Sequence, residues 1–258
     1  MNKQMNRSFL NNLFLKKAVA VLLALVLWQV VSMIVGMDML LASPLKVLER
    51  LSTIWREKDF LSTVLFSVCR IFGGFLLAFL AGICLALLAG QFRSLEILLW
   101  PYVVTIKSVP IASFIILCLI WFSYSQMTVF IAFLIAFPVI YSNVLQGIRS
   151  TDPLLLEMAE IYKVRGFRKL FYIQLPGIMP FLTSACSVAI GMSWKAGVAA
   201  EVIGVINGSI GQKLYDAKIY FQNADLLSWT LIIIALSVVG EKLFVLLLRT
   251  LYRKAVRR

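Results

Sequence analysis

Six stretches of about twenty or more apolar residues, near 18–36, 64–90, 98–122, 127–146, 177–206 and 226–248, constrain this chain more than any other feature. A bilayer core needs about twenty helical residues to cross, and unpaired backbone groups in hydrocarbon leave only helices or closed barrels as spanning elements. The stretches have helix length, so the reading is an all-α membrane protein with about six transmembrane helices. Composition agrees: 61% of residues are hydrophobic and 14% charged, where soluble domains carry about a quarter charged. The N-terminus, basic and then apolar from Ala18 to Val35, has the outline of a signal peptide. The run is longer than an ordinary h-region and no small-x-small cleavage site follows, which predicts an uncleaved first span. The expected organisation is a cytoplasmic segment at 1–17, a transmembrane domain at 18–248 and a basic cytoplasmic tail at 249–258.

A net charge of +13 raises the question of a nucleic-acid surface, but the basic residues border the apolar runs and do not form a patch. Fifteen of them flank the spans on one side: Lys3, Arg7, Lys16 and Lys17; Arg93; Arg149, Lys163, Arg165, Arg168 and Lys169; Arg249, Arg253, Lys254, Arg257 and Arg258. Only six, Lys46, Arg50, Arg56, Lys58, Lys213 and Lys218, fall in the opposite loops. Basic flanks stay in the cytoplasm, so both termini are expected there and no nucleic-acid partner is expected. Cys69, Cys84, Cys118 and Cys186 lie in apolar stretches without Cys-x-x-Cys spacing, which favours small core residues over a metal site or disulfide framework. The sequence holds no histidine, so the commonest general base and imidazole metal ligand are missing.

Two helical patterns lie close to the spans. Gly74, Ala78, Gly82, Ala86 and Gly90 place a small residue at every fourth position, a groove that lets another helix approach closely, within the chain or, as the alternative, at a subunit interface. Ser43 and Pro44 read as N-cap and first helical residue, and Val47, Leu48, Leu51, Ile54 and Trp55 then share one face, predicting an interfacial amphipathic helix on the outer side.

The most informative polar stretch is 150–176. Asp152 and Pro153 open a helix, Leu154 to Tyr162 contains no breaker, Gly166 permits a bend, and Phe167 to Ile173 forms a second short helix that Pro176 ends. Two short helices at a bend make a stiff cytoplasmic projection that a partner could grip; a plain solvated loop is the alternative.

Glu157-Met158-Ala159, then Ile173, Gln174, Leu175 and Pro176, resemble the Glu-Ala-Ala loop of bacterial ABC importer permeases. Met158 replaces an alanine of the pattern and Lys163 stands at its glycine, so the bend falls at Lys163 or at Gly166. Ser43-Pro44, Ser67 to Gly74, Ile120-Trp121-Phe122 and Ala199-Ala200-Glu201-Val202-Ile203-Gly204 are similar to the branch importing sulfonates, taurine, nitrate and related solutes. The resemblance implies a type I ABC importer permease in the bacterial inner membrane. It also implies a homodimer of permeases, separate ABC ATPase subunits carrying ATP and magnesium, and an extracytoplasmic solute-binding protein. This chain would then be no enzyme and bind no cofactor or metal itself. ATPase coupling is expected at Glu157, Ala159, Glu160, Ile161, Tyr162, Lys163, Val164 and Gly166, with Leu175 and Pro176 fixing the exit into the fifth span.

Ionisable residues within spans are costly and usually face the bundle interior or water. Lys107, Ser193, Trp194, Lys195 and Glu201 are therefore candidates for the substrate pathway, with Lys195 an attraction for anionic cargo; a structural role is the alternative for each, and for Lys107 a position near the interface. Gly208-Ser209-Ile210-Gly211-Gln212-Lys213 lacks phosphate-loop spacing. The competing function is a secondary transporter or channel working without an ATPase, which mid-span acids and an inverted repeat would favour. A membrane-embedded enzyme ranks below both, because no acid pair or nucleophile motif is present.

Overall fold

The computed structural model describes residues 2–37, 39–164 and 166–256, so Arg165, Arg257 and Arg258 of the basic set lie outside the described residues, as do the side chains of Lys3 and Arg7. Every regular element among the described residues is helical. In chain order these are α1 (Asn2–Val35), α2 (Pro44–Ile54), α3 (Phe60–Gln91), α4 (Arg93–Ser108), α5 (Ile111–Trp121), α6 (Tyr124–Arg149) and α7 (Pro153–Ile161). There follow α8 (Phe167–Lys169), a π-helical turn (Leu170–Gln174), α9 (Leu175–Ile203), α10 (Ile210–Ile219) and α11 (Asn223–Val256). Among the described residues five helices are long and apolar enough to cross a membrane, or six spans if α4 and α5 count together.

The run expected at 98–122 is a pair of helices bent by 107°. The cause is Pro110, whose ring pushes the preceding residue out of helical conformation: Val109 is extended at ψ 132°, its amide closes α4 on the Thr105 carbonyl at 3.0 Å, and Pro110 caps α5. By rise per residue α4 and α5 are about 24 Å and 17 Å long, so neither alone matches the bilayer core.

The chain divides into two compact units. In the first, residues 1–60 and 213–231, Ser43 caps α2 by accepting from the Lys46 amide at 3.4 Å. Val47 and Ile54, seven residues apart, are the buried face of α2, whereas Leu48 and Trp55, expected on that face, are 61% and 62% exposed. Arg50 takes the inward position between them and forks to Asp225 and Glu57. Burial opposes its charge, but those two carboxylates outweigh it and raise its pKa above the ordinary guanidinium value.

In the second unit, residues 61–212 and 232–258, backbones meet closely where small residues allow it. A Cβ on Gly74 would lie 2.3 Å from the Val129 carbonyl oxygen, and one on Gly82 2.9 Å from the Ile140 side chain. The small-residue stripe of α3 thus seats α6, with Ala78 and Ala86 buried in the same seam. Gly147 lies against Ile178 and Phe181, and Ser193 Oγ donates to the Ala132 carbonyl at 3.3 Å, so α6 and α9 run antiparallel. Those two contacts span fifteen residues of each helix, about 22 Å. Gly197 admits Ile71 between α9 and α3. Phe72, Phe75 and Phe79 surround Phe244 of α11 with edge-on rings. Cys118 and Cys186 are core residues as expected, but Cys69 and Cys84 are exposed, on the turns of α3 that face away from the seam.

Candidate functional site

Between α6 and α9, the two spans joined by those close contacts, the chain makes one stiff excursion. Asp152 accepts from the Leu154 amide at 2.9 Å and Pro153 occupies the first turn, so α7 starts as its sequence dictates. It ends at Lys163, which adopts φ 52°. The Lys163 amide donates to the Glu160 carbonyl at 3.0 Å and the Val164 amide to the Ala159 carbonyl at 2.8 Å. That pair of bonds is the Schellman ending, in which a left-handed residue, usually glycine, closes the helix. Gly166 is left-handed as well, at φ 61°. Of the two alternatives for the bend, both residues turn: Lys163 stops α7 and Gly166 redirects the chain into α8.

The helix expected over Phe167 to Ile173 does not stop at Pro176. It passes through the π turn Leu170–Gln174 into α9, with the Leu175 amide bonded to the Leu170 carbonyl. A proline removes one amide and crowds the carbonyl four residues back. The wider register of the π turn absorbs that misfit, so Pro176 sits in the first turn of α9, and α8, the π turn and the span form one continuous helix.

Ala159 is buried, and its carbonyl closes the bend. Glu157, Glu160, Ile161, Tyr162 and Lys163 are exposed, with Ile161 at 78% and Tyr162 at 76%. Leu154, Leu155 and Met158 are exposed on the same short helix. Sequence reasoning passed over these three because apolar residues in a helix read as core. Val164 and Leu175 are half-buried; Gly166 and Pro176 are exposed.

The in-span candidates are not brought together. Lys107 donates to Ser142 Oγ at 2.8 Å, in a groove between α4 and α6 that also holds Glu96, paired with Arg149 beside the loop. Ser193 and Trp194 are buried in the core, whereas Lys195, one position on, is exposed. Glu201 is fully buried. Its Oε2 accepts from Ser67 Oγ at 2.8 Å and from the Gly211 amide at 3.2 Å, and Ser67 Oγ in turn accepts from the Ile210 amide at 2.9 Å. Ser209 caps α10 through the Gln212 amide at 3.0 Å, and Gln212 Oε1 accepts from the Gly208 amide at 2.6 Å. The glycine-rich segment at 208–213 is therefore the start of a helix.

Glu241, which the sequence reading passed over, lies midway along α11 and accepts from Ser187 Oγ of α9. Thr183, Ser184, Lys242 and Arg249 join that pair in a groove of about 540 Å³. Its acid stands beside Lys242, so a count of isolated charges did not single it out.

Residues 78–258 match the family described as binding-protein-dependent transport system inner membrane component. A Bacillus subtilis (strain 168) permease named for aliphatic sulfonates transport, SsuC, is 27% identical over 92% of this chain and 84% of its own. The Escherichia coli (strain K12) taurine transport system permease protein TauC is 27% identical over 73% of each chain. The bicarbonate transport system permease protein CmpB of Synechococcus elongatus is 27% identical over 61% of this chain and 56% of its own.

Proposed function

Because this chain belongs to the family of binding-protein-dependent transport system inner membrane components, and is thus a multi-pass permease subunit of an ABC importer, we propose that residues 153–166 are the surface on which its ATPase seats. One observation carries this reading: α7 leaves Leu154, Met158, Ile161 and Tyr162 bare on a helix that its cap, its Schellman ending and the rod into α9 hold rigid. Bare apolar and aromatic residues on a pre-shaped element are what a protein partner uses as anchors. Glu157, Glu160 and Lys163 rim them with charge. Ala159, Leu175 and Pro176 act from behind, fixing the bend and its exit. In this reading both termini and the loop face the cytoplasm, a second permease copy completes the pathway, ATP and magnesium are held by the partner ATPase, and a solute-binding protein delivers cargo outside. Loss of ATPase from the purified complex on Tyr162→Ala, with the permease still folded, is the expected result; retention of full ATPase and transport would overturn the assignment.

The proposed cargo is a small solute bearing an oxyanion, such as a sulfonate or nitrate. Three relatives are named for aliphatic sulfonates, taurine and bicarbonate. Lys195 is the exposed in-span cation on α9 and supplies the complementary charge. Lys195→Met should lower uptake of such an anion about tenfold, the low end of electrostatic focusing, and leave ATPase binding intact. Undiminished uptake would remove Lys195 from the pathway.

A further inference from the structure

We infer that Glu201, Ser67 and the first two amides of α10 form a clasp that makes α9 a lever joined at both ends, with Glu201 its positioning residue. The inference rests on the loop reading above, which supplies the other end. From Leu175 to Glu201 the helix is unbroken over about 39 Å by rise per residue. Its first turn continues α8 and the π turn, which follow directly on the bend at Gly166 where the ATPase surface ends. Its last turn would ordinarily fray, since terminal carbonyls lack helical partners. Here it does not end free. The Val205 and Ile206 amides close it on the Val202 and Glu201 carbonyls at 3.4 and 3.1 Å. The Glu201 carboxylate then gathers a hydroxyl from α3 and an amide from α10, while Ser67 Oγ holds the neighbouring amide. Two of the amides that α10 leaves unpaired at its start are thus satisfied by α3 and α9 rather than by water.

The fit leaves no slack. A Cβ on Gly211 would lie 2.3 Å from Glu201 Cβ and 2.6 Å from both the Glu201 carbonyl carbon and the Val202 amide nitrogen. Ser67, Glu201, Ser209 and Ile210 are each at 0% exposure. A buried acid with two bonds at one oxygen and no hydrogen-bond partner at the other is an expensive choice for packing alone, because a buried polar group costs more than the apolar group that would fill the same space. Its use is directional: it ties the end of one moving span to the start of another element, so displacement entering at the loop is delivered to α10 rather than lost in a frayed turn.

The test is made on the reconstituted complex of permease, ATPase and binding protein, reading solute moved per ATP hydrolysed. Ser67→Ala removes one hydroxyl and both of its bonds, and Glu201→Gln keeps the shape and replaces the acid by an amide. Each is expected to retain the ATPase and its hydrolysis while transport per ATP falls about tenfold, the scale of a buried polar group left without its partner; Ser67→Thr, which keeps the hydroxyl, is expected to restore coupling. Unchanged transport per ATP in Ser67→Ala and Glu201→Gln would overturn the clasp. Tyr162→Ala run alongside reports on the loop reading separately, since it acts on ATPase capture and not on coupling. Residue-level hydrogen exchange on the unmodified complex needs no variant. The Ile210 and Gly211 amides should stay protected both without nucleotide and with ATP, and free exchange of either amide in either state would equally overturn the proposal.

Discussion

The ends of α7 and α9 use the same backbone device in opposite surroundings. Each closes with a Schellman pair of bonds around a left-handed residue that is not glycine, Lys163 at φ 52° and Val205 at φ 46°. Around Lys163 the side chains are bare, and Ile161 and Tyr162 are among the most exposed large apolar residues of the chain. Around Val205 the neighbours Glu201, Ile206, Ser209 and Ile210 are buried, and the acid is bonded to two other elements. A rigid bend alone therefore has no function; what the adjoining side chains touch decides it. The first bend leaves Ile161 and Tyr162 uncovered within the chain, and beside the second Glu201 and Ser209 are buried and bonded inside it. Substitutions at the end of α7 should show in partner binding and those at the clasp in the permease itself.

The largest effect is expected from Gly211→Val. Its side chain would meet the backbone and Cβ of Glu201 well inside contact distance. Backbone cannot rotate away as a side-chain tip does, so the permease should lose about 3 kcal/mol of stability by the overpacking scale, seen as a lower melting temperature in detergent. Gly73→Val is the control, since nothing lies within 4 Å of a Cβ at that site and its backbone is ordinary helix. Equal losses at both would show that the close approach at Gly211 does not matter.

Next in size is Ile161→Asp on α7. A central anchor is worth about 2 kcal/mol or more of binding, so ATPase capture should weaken by roughly thirtyfold. The melting temperature of the isolated permease should not move, because Ile161 is 78% exposed. A stability loss without a binding loss would reverse the comparison. Asp152→Ala removes the α7 cap and should cost about 1 kcal/mol, read as faster exchange of the Leu154 amide and a smaller loss of ATPase affinity.

How much of this was legible in the residues follows the range of the forces involved. Caps and spans are local, so Ser43, Asp152 and Pro153 announced their helices, and the apolar runs announced the membrane. The stripe from Gly74 to Gly90 announced a close helix neighbour because small residues every fourth position have few other uses, though not that the neighbour is α6. Pro176 misled because the rule that proline ends a helix ignores a π turn that makes room for it. A proline such as Pro110 disfavours helix at the residue before it, but nothing local sets the 107° angle of the bend. Glu201 stood out as a costly charge, yet its partners are 134 and 10 residues away, and pairing across such distances is written in tertiary geometry only. The same holds for Glu241 and Ser187.

The smallest effect bears most closely on the shared bend. A left-handed lysine costs about 1–2 kcal/mol relative to a right-handed one, and glycine returns part of that gain through its freer unfolded chain, about 0.5–1 kcal/mol. Lys163→Gly should therefore stabilise the end of α7 by a few tenths of a kcal/mol to about 1 kcal/mol, the difference of those two. The Val164 amide, which makes the longer-range bond of the motif, should exchange several-fold more slowly at the upper end of that range. Val205→Gly should gain more, because a β-branched side chain suits the left-handed region less well than an unbranched one. At α7 the gain should come with weaker ATPase binding if the Lys163 ammonium belongs to the charged rim, whereas at Val205 it should leave ATPase binding alone. A gain at both sites with no change in binding at either would mean that the two bends differ only in burial, and the division of labour between them would have to be sought in the side chains of Ile161 and Tyr162 alone.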